Sequence, residues 1–274
     1  MRYGELGKRI GVAAITIPPI FAIILWGRIA FLLLVNVIIV MALWELYGLA
    51  ERKGFFPSKV AGTFAILLIS WNLYFYRGRF LGELLVTVVL IILFIELFKG
   101  KEGPLANAAI TLFGLIYLSL FSSFILIREI PSHSNLDYRV GGWLVILIFS
   151  AIWICDSGAY LLGARFGKHA LFKRVSPNKT WEGAIAGFSI GIAASIGLRF
   201  LFVPSISIID SMIIGIIIGV FGQISDLLES LFKRDAEVKD ASNILPGHGG
   251  FLDRFDSPLF VGPIVYLYLK LVVF

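Results

Sequence analysis

The stretch Ser230-Leu-Phe-Lys-Arg-Asp-Ala-Glu-Val-Lys-Asp-Ala-Ser-Asn-Ile-Leu-Pro-Gly-His-Gly-Gly-Phe-Leu-Asp-Arg-Phe-Asp256 stands between two apolar runs, at about 207–231 and 257–274. It gathers acids, bases, a His and three Gly in a chain that is otherwise mostly apolar. Asp253 and Asp256 are three apart, so a helical turn would place them on one face. Paired hard carboxylates suit Mg²⁺, which prefers oxygen ligands and brings substrate phosphates with it. Gly247-His248-Gly249-Gly250 offers backbone N–H groups with no Cβ in the way, a cradle for phosphate oxygens. Lys233, Arg234, Lys239 and Arg254 add positive charge for a polyanion. Acids for metal together with bases and bare amides for phosphate are the inventory of phosphoryl or nucleotidyl transfer.

Working outward, the rest of the chain reads as membrane. Hydrophobic residues make 58% of it and charged residues 15%, with a mean hydropathy of +0.91. A soluble domain carries about 25% charged residues. Spans need about 20 apolar residues each, and about nine candidate runs follow, at roughly 10–27, 30–50, 58–75, 80–98, 105–127, 141–164, 182–203, 207–231 and 257–274. The expected fold is an all-α polytopic helical bundle, one membrane domain over 1–274. The first run lacks a small-residue cleavage site, so it reads as a retained span rather than a signal peptide. The single Cys155 sits in an apolar run and reads as packing.

The net charge of +6 does not point to nucleic acid, because the Lys and Arg sit in short loops between apolar runs. Of the 24 Lys and Arg, Arg28, Arg77, Arg79, Arg128, Arg139, Arg199 and Lys270 fall on one side of the expected topology and the rest on the other. The positive-inside tendency makes the richer side cytoplasmic. Loops 165–181 and 231–256 land there, as active-site loops facing the cytoplasm. His133 lies in an external loop and reads as an exposed side chain.

The Ser230–Asp256 stretch resembles the signature of the CDP-diacylglycerol synthases (phosphatidate cytidylyltransferases). The family pattern falls on Ser230, Lys233-Arg234, Lys239-Asp240, Pro246, His248-Gly249-Gly250, Asp253-Arg254 and Asp256, without departure. About a dozen positions agree, far more than a short motif offers. A second pair of segments resembles the same family: Asp156 with Ala159-Tyr160, then Ser176-Pro177, Lys179-Thr180 and Glu182-Gly183. The resemblance implies a bacterial-type cytoplasmic-membrane enzyme that joins CTP to phosphatidic acid, releasing pyrophosphate and using Mg²⁺, with a second cation as an option.

The residues then take expected roles. Asp226 closes the eighth run, where an acid at membrane depth is a functional candidate. It joins Asp253 and Asp256 as a metal ligand, while Glu229 ranks below it. Lys179, near the start of the seventh run, sits where a helix binds anions. Substrate contacts are expected from Lys179, Arg234, Lys239, Asp240, Arg254, Gly249, Gly250, Asp156 and Ser176, and catalytic roles from Lys233 and His248. His248 reads equally as a hydrogen-bonding strut. Gly163 to Lys168 is one residue short of a P-loop and lacks its Ser/Thr. Gly183, Gly187 and Gly191 recur every four residues, a close-approach stripe. It packs inside the monomer by default, with a homodimer seam as the alternative.

Two other readings stay open. A CTP-dependent polyprenol or phytol kinase would release CDP instead of pyrophosphate. A cation-coupled transporter using Asp156 and Asp226 would show paired broken helices in two related halves, which this sequence lacks.

Overall fold

The computed structural model describes residues 17–130, 137–242, 244 and 249–274. His133, Pro246, Gly247 and His248 lie outside these, as does the start of the first apolar run. Each of the nine runs is helical where it is described. In order they form α1 (Ile17–Trp26), α2 (Arg28–Arg52), α3 (Lys59–Tyr76), α4 (Leu81–Lys99), α5 (Pro104–Ser119) and, after a 3₁₀ turn, α6 (Ser123–Glu129). There follow α7 (Arg139–Phe166), strands β1 (Ala170–Phe172) and β2 (Ser176–Thr180), and α8 (Trp181–Phe202). The chain ends with α9 (Ile208–Ile217), a π-helical segment Ile218–Gly222, α10 (Gln223–Asp235), α11 (Leu252–Tyr268) and a second π-helical segment, Leu269–Val273.

Seven helices among the described residues are long and apolar enough to cross a membrane. In lipid the backbone must satisfy its own polar groups, so a long apolar run has little choice but helix. The chain is an integral membrane protein. α3 forms where expected but is not among the seven; it opens on Lys59, and its second half carries Ser70, Asn72, Tyr74 and Tyr76. The outer faces are apolar too. On α4 only Val88, Ile92 and Glu96 turn inward, while Leu90, Phe94, Leu97 and Phe98 are exposed. A soluble protein rarely leaves so large an apolar patch uncovered, whereas lipid covers it at no cost.

The chain divides into two compact units. The first comprises Met1–Leu126 and Asp235–Phe255, the second Ile127–Arg234 and Asp256–Phe274. In the first, α2, α3, α4 and α5 pack together. Tyr47 of α2 is fully buried and donates to the Thr111 carbonyl at 2.7 Å. Gly62 and Gly114 make room for its ring, since a Cβ at either would come within 2.5 Å of it. The short segment before α3 is tied by side chains: the Phe56 N–H donates to Asn107 Oδ1 and the Ser58 N–H to Thr111 Oγ1.

In the second unit α7 packs along α8, and α8 along α9. The glycine stripe faces these partners. A Cβ on Gly187 would lie 2.7 Å from Ala159 Cβ, and one on Gly183 2.7 Å from the Ala159 carbonyl. From α9, Gly215 approaches Ile192 closely enough that its Cβ would sit 2.6 Å from the Ile192 Cα. The stripe therefore packs within the unit, as the default sequence reading has it. Between α7 and α8 the chain folds an antiparallel ribbon, pairing Ala170 with Thr180 and Phe172 with Ser176. It brings Lys179 to the foot of α8, whose first turn is capped by Thr180 Oγ1 accepting from the Gly183 N–H.

Candidate active site

In the second unit, the π-helical segment Ile218–Gly222 leads into α10. A π-bulge shifts the phase of the residues after it and is frequent at functional sites. From Gln223 the helix is regular, so Asp226 and Glu229 lie three apart on one face, with Lys233 four further on. The other contributor is Asp256, at the end of the polar stretch. Among the described residues, one group of three carboxylates converges: Asp226, Glu229 and Asp256 each offer an oxygen, all within 4.8 Å of one another. Glu229 is 1% exposed. The backbone at Asp256 is held by Ser225, whose hydroxyl donates to the Asp256 carbonyl at 2.5 Å.

Two cations balance the acids. Lys233 Nζ lies 2.5 Å from Glu229 Oε2, and Lys179 forms an ion pair with Asp226. Asp156, on α7, bonds through its side chain to Ser257 and feels the charges of Asp226 and Lys179. Ser176 opens β2, and Arg234 Nε donates to the Val175 carbonyl at 3.4 Å. Three hard oxygen donors that converge without His or Cys suit Mg²⁺. The structure thus brings together Asp226, Asp256, Lys179, Lys233 and Asp156 from the sequence reading. It adds Glu229, which the sequence ranks below Asp226, as a full member.

Asp253 is placed differently, within the first unit. Its Oδ2 accepts from the Gly250 N–H at 2.8 Å and from the Ala241 N–H at 3.0 Å. The expectation that Asp253 and Asp256 share one helical face does not hold. Phe255, between them, has φ −118° and ψ 17°, which is not helical and breaks α11 there. The i, i+3 argument requires an unbroken turn. The reading of the glycines changes too. The Gly250 amide is used by Asp253 and is not bare. Gly249 has φ +75°, and a Cβ on it would stand 2.8 Å from Asp253 Oδ2. A Cβ on Gly250 would stand 2.4 Å from a carboxylate oxygen of Glu45. Two carboxylates hem in this glycine pair.

Glu45, on α2, is the residue the sequence reading passes over. It is 5% exposed, and its carboxylate accepts three hydrogen bonds: from Ser242 Oγ at 2.6 Å, the Phe251 N–H at 3.0 Å and the Leu252 N–H at 2.7 Å. A signal existed, since Glu45 is the lone interior acid of the run 30–50 and such an acid within an apolar span is costly. Beside it lies a cavity of about 580 Å³ whose lining includes Trp44, Glu45, Arg52, Ala241 and Ser242. Lys239, Asp240 and Arg254 are exposed in the same unit, and His248 falls outside the described residues.

Known proteins resemble this chain over nearly its whole length. The model of the cytidylyltransferase family matches residues 7–272. A phosphatidate cytidylyltransferase of Bacillus subtilis is 31% identical, over 97% of this chain and 98% of its own. One of Staphylococcus haemolyticus is 33% identical, over 90% and 92%. One of Staphylococcus aureus is 31% identical, over 94% and 96%.

Proposed function

The chain belongs to the cytidylyltransferase family, and from that premise we propose that it is a phosphatidate cytidylyltransferase, transferring CMP from CTP to phosphatidic acid. The observation that carries the reading is the convergence of Asp226, Glu229 and Asp256 with Lys179 and Lys233 beside them. Asp226, Glu229 and Asp256 would hold Mg²⁺, which when bound neutralises triphosphate charge and stabilises the pyrophosphate as it leaves.

The chain's own groups do the rest. Two polyanions must approach, and Lys179 and Lys233 lower their repulsion by offering charge and N–H donors. An oxygen of the phosphatidate phosphate attacks the α-phosphorus of CTP. The bond from that phosphorus to the bridging oxygen breaks, and pyrophosphate departs with the electron pair. The lipid phosphate is itself the nucleophile, so no side chain needs to form a covalent intermediate. Asp156 orders the approach through its bond to Ser257 and its place beside Lys179. Lys239, Asp240, Arg254, Arg234 and Ser176 remain proposed substrate contacts on the strength of the signature. We place the site at the cytoplasmic face of a bacterial-type cytoplasmic membrane, a reading supported by the loop charge and the bacterial relatives.

Purified protein given labelled CTP, phosphatidic acid and Mg²⁺ is expected to yield CDP-diacylglycerol and pyrophosphate in equal amounts. Release of CDP with a phosphorylated lipid would replace this reading with the kinase.

A further inference from the structure

We infer that Glu45 is a positioning residue for the reaction: its buried carboxylate, reaching from α2, holds the two ends of the segment 241–252, Ser242 at one and Phe251 and Leu252 at the other. This rests on the reading of that segment as part of a cytidylyltransferase signature. Three observations meet at one side chain. Glu45 accepts from Ser242, Phe251 and Leu252, which bracket the His-Gly-Gly portion of the signature on both sides. The Phe251 and Leu252 amides open α11, where a helix leaves N–H groups without intrahelical partners. Finally, all three nearest atoms to a Cβ built on Gly250 belong to the Glu45 carboxylate, at 2.4–2.6 Å.

The last fact explains a glycine that backbone conformation does not require. Gly250 has no positive φ, so its backbone would accept Ala. What forbids the methyl group is Glu45. Asp253 accepts from two further amides of the same segment, those of Gly250 and Ala241. Ala241, Ser242, Gly250, Phe251 and Leu252 are thus held before substrate arrives, and misplacement by about 1 Å can cost about 100-fold in rate.

The test uses the full-length protein in lipid nanodiscs, with Glu45→Gln and Glu45→Ala. Glu45→Gln keeps the shape and covers the case in which Glu45→Ala fails to insert. Amide hydrogen exchange over 241–252 is expected to rise in both variants, without any substrate present. At saturating Mg²⁺, kcat/KM should fall about 100-fold, while the Mg²⁺ concentration giving half-maximal rate stays where it is. Gly250→Ala should impair the native protein strongly. In a Glu45→Ala background it should cost about threefold or less, because the clash is gone, and contacting residues couple in this non-additive way.

Unchanged exchange in Glu45→Ala would overturn the anchor. Raised exchange with native kcat and KM would overturn the positioning role and leave a purely structural one. If the native protein makes no CDP-diacylglycerol, the proposed reaction falls, while the exchange measurement still decides the anchor.

Discussion

Asp253 and Asp256 are three residues apart in one signature, and their carboxylates have different surroundings. Asp253 faces backbone amides, accepting from Gly250 and Ala241. Asp256 faces other carboxylates, Asp226 and Glu229. The first arrangement gives an acid backbone N–H donors from Gly250 and Ala241. The second crowds acids that repel one another, which is tolerable when cations sit among them. Lys179 and Lys233 supply part of that charge, and a divalent ion would supply more. Two carboxylates three residues apart can thus stand in different electrostatic surroundings, and those surroundings differ in how well they suit a cation.

The comparison breaks most visibly at the cluster. Asp226→Asn and Asp256→Asn should each insert normally and lose about 100- to 1,000-fold in kcat, the scale of losing one preorganised electrostatic partner. The Mg²⁺ concentration for half-maximal rate should rise in both, and the double variant should lose less than the product of the singles. Mg²⁺-titrated turnover on size-excluded protein checks this. A fully active Asp256→Asn would remove the cluster from the mechanism.

Asp253→Asn should act more mildly and differently. It weakens hydrogen bonds to a charged group, worth about 1.5–3 kcal/mol each. We expect kcat/KM to fall about 10- to 100-fold, with faster hydrogen exchange over 241–252 and no change in Mg²⁺ demand. A raised Mg²⁺ requirement would return Asp253 to the ligands and erase the contrast.

Lys179→Met sharpens the cationic side. It should raise the KM for CTP about tenfold, the lower end of a lost charged hydrogen bond, while leaving exchange over 241–252 alone. Initial rates across a CTP series measure it. The smallest kinetic effect belongs to the packing glycines. Gly187→Ala places a Cβ 2.7 Å from that of Ala159 and should cost about 1–3 kcal/mol of stability by overpacking. A lower Tm with native KM for both substrates is expected, and a changed KM would tie the α7–α8 seam to the site.

Much of this was legible in the chain itself. Apolar runs of span length, with a mean hydropathy of +0.91, leave a helical membrane bundle as the outcome, because lipid offers no partner to an unpaired backbone. The dense polar stretch stood out against the apolar runs and held one member of the carboxylate cluster, Asp256. Lys233 and Asp256 could be named from it, and Asp226 and Lys179 from the ends of the neighbouring apolar runs, where charged groups are costly. The ribbon at Ala170–Phe172 and Ser176–Thr180 was not legible, since two short strands in a loop carry no hydrophobic period.

Tertiary structure alone showed that the two acids have different neighbours. Helical spacing treats Asp253 and Asp256 as equivalent, and only the break at Phe255 separates them. Glycines read from sequence as open amides prove to be confined by Asp253 and Glu45. Glu45 stands about 200 positions before the amides it holds, a separation at which no local pattern operates. Sequence spacing constrains neighbours along one helix face. Which distant side chain meets a given N–H is set by how the helices pack, and that packing fixes what surrounds each carboxylate.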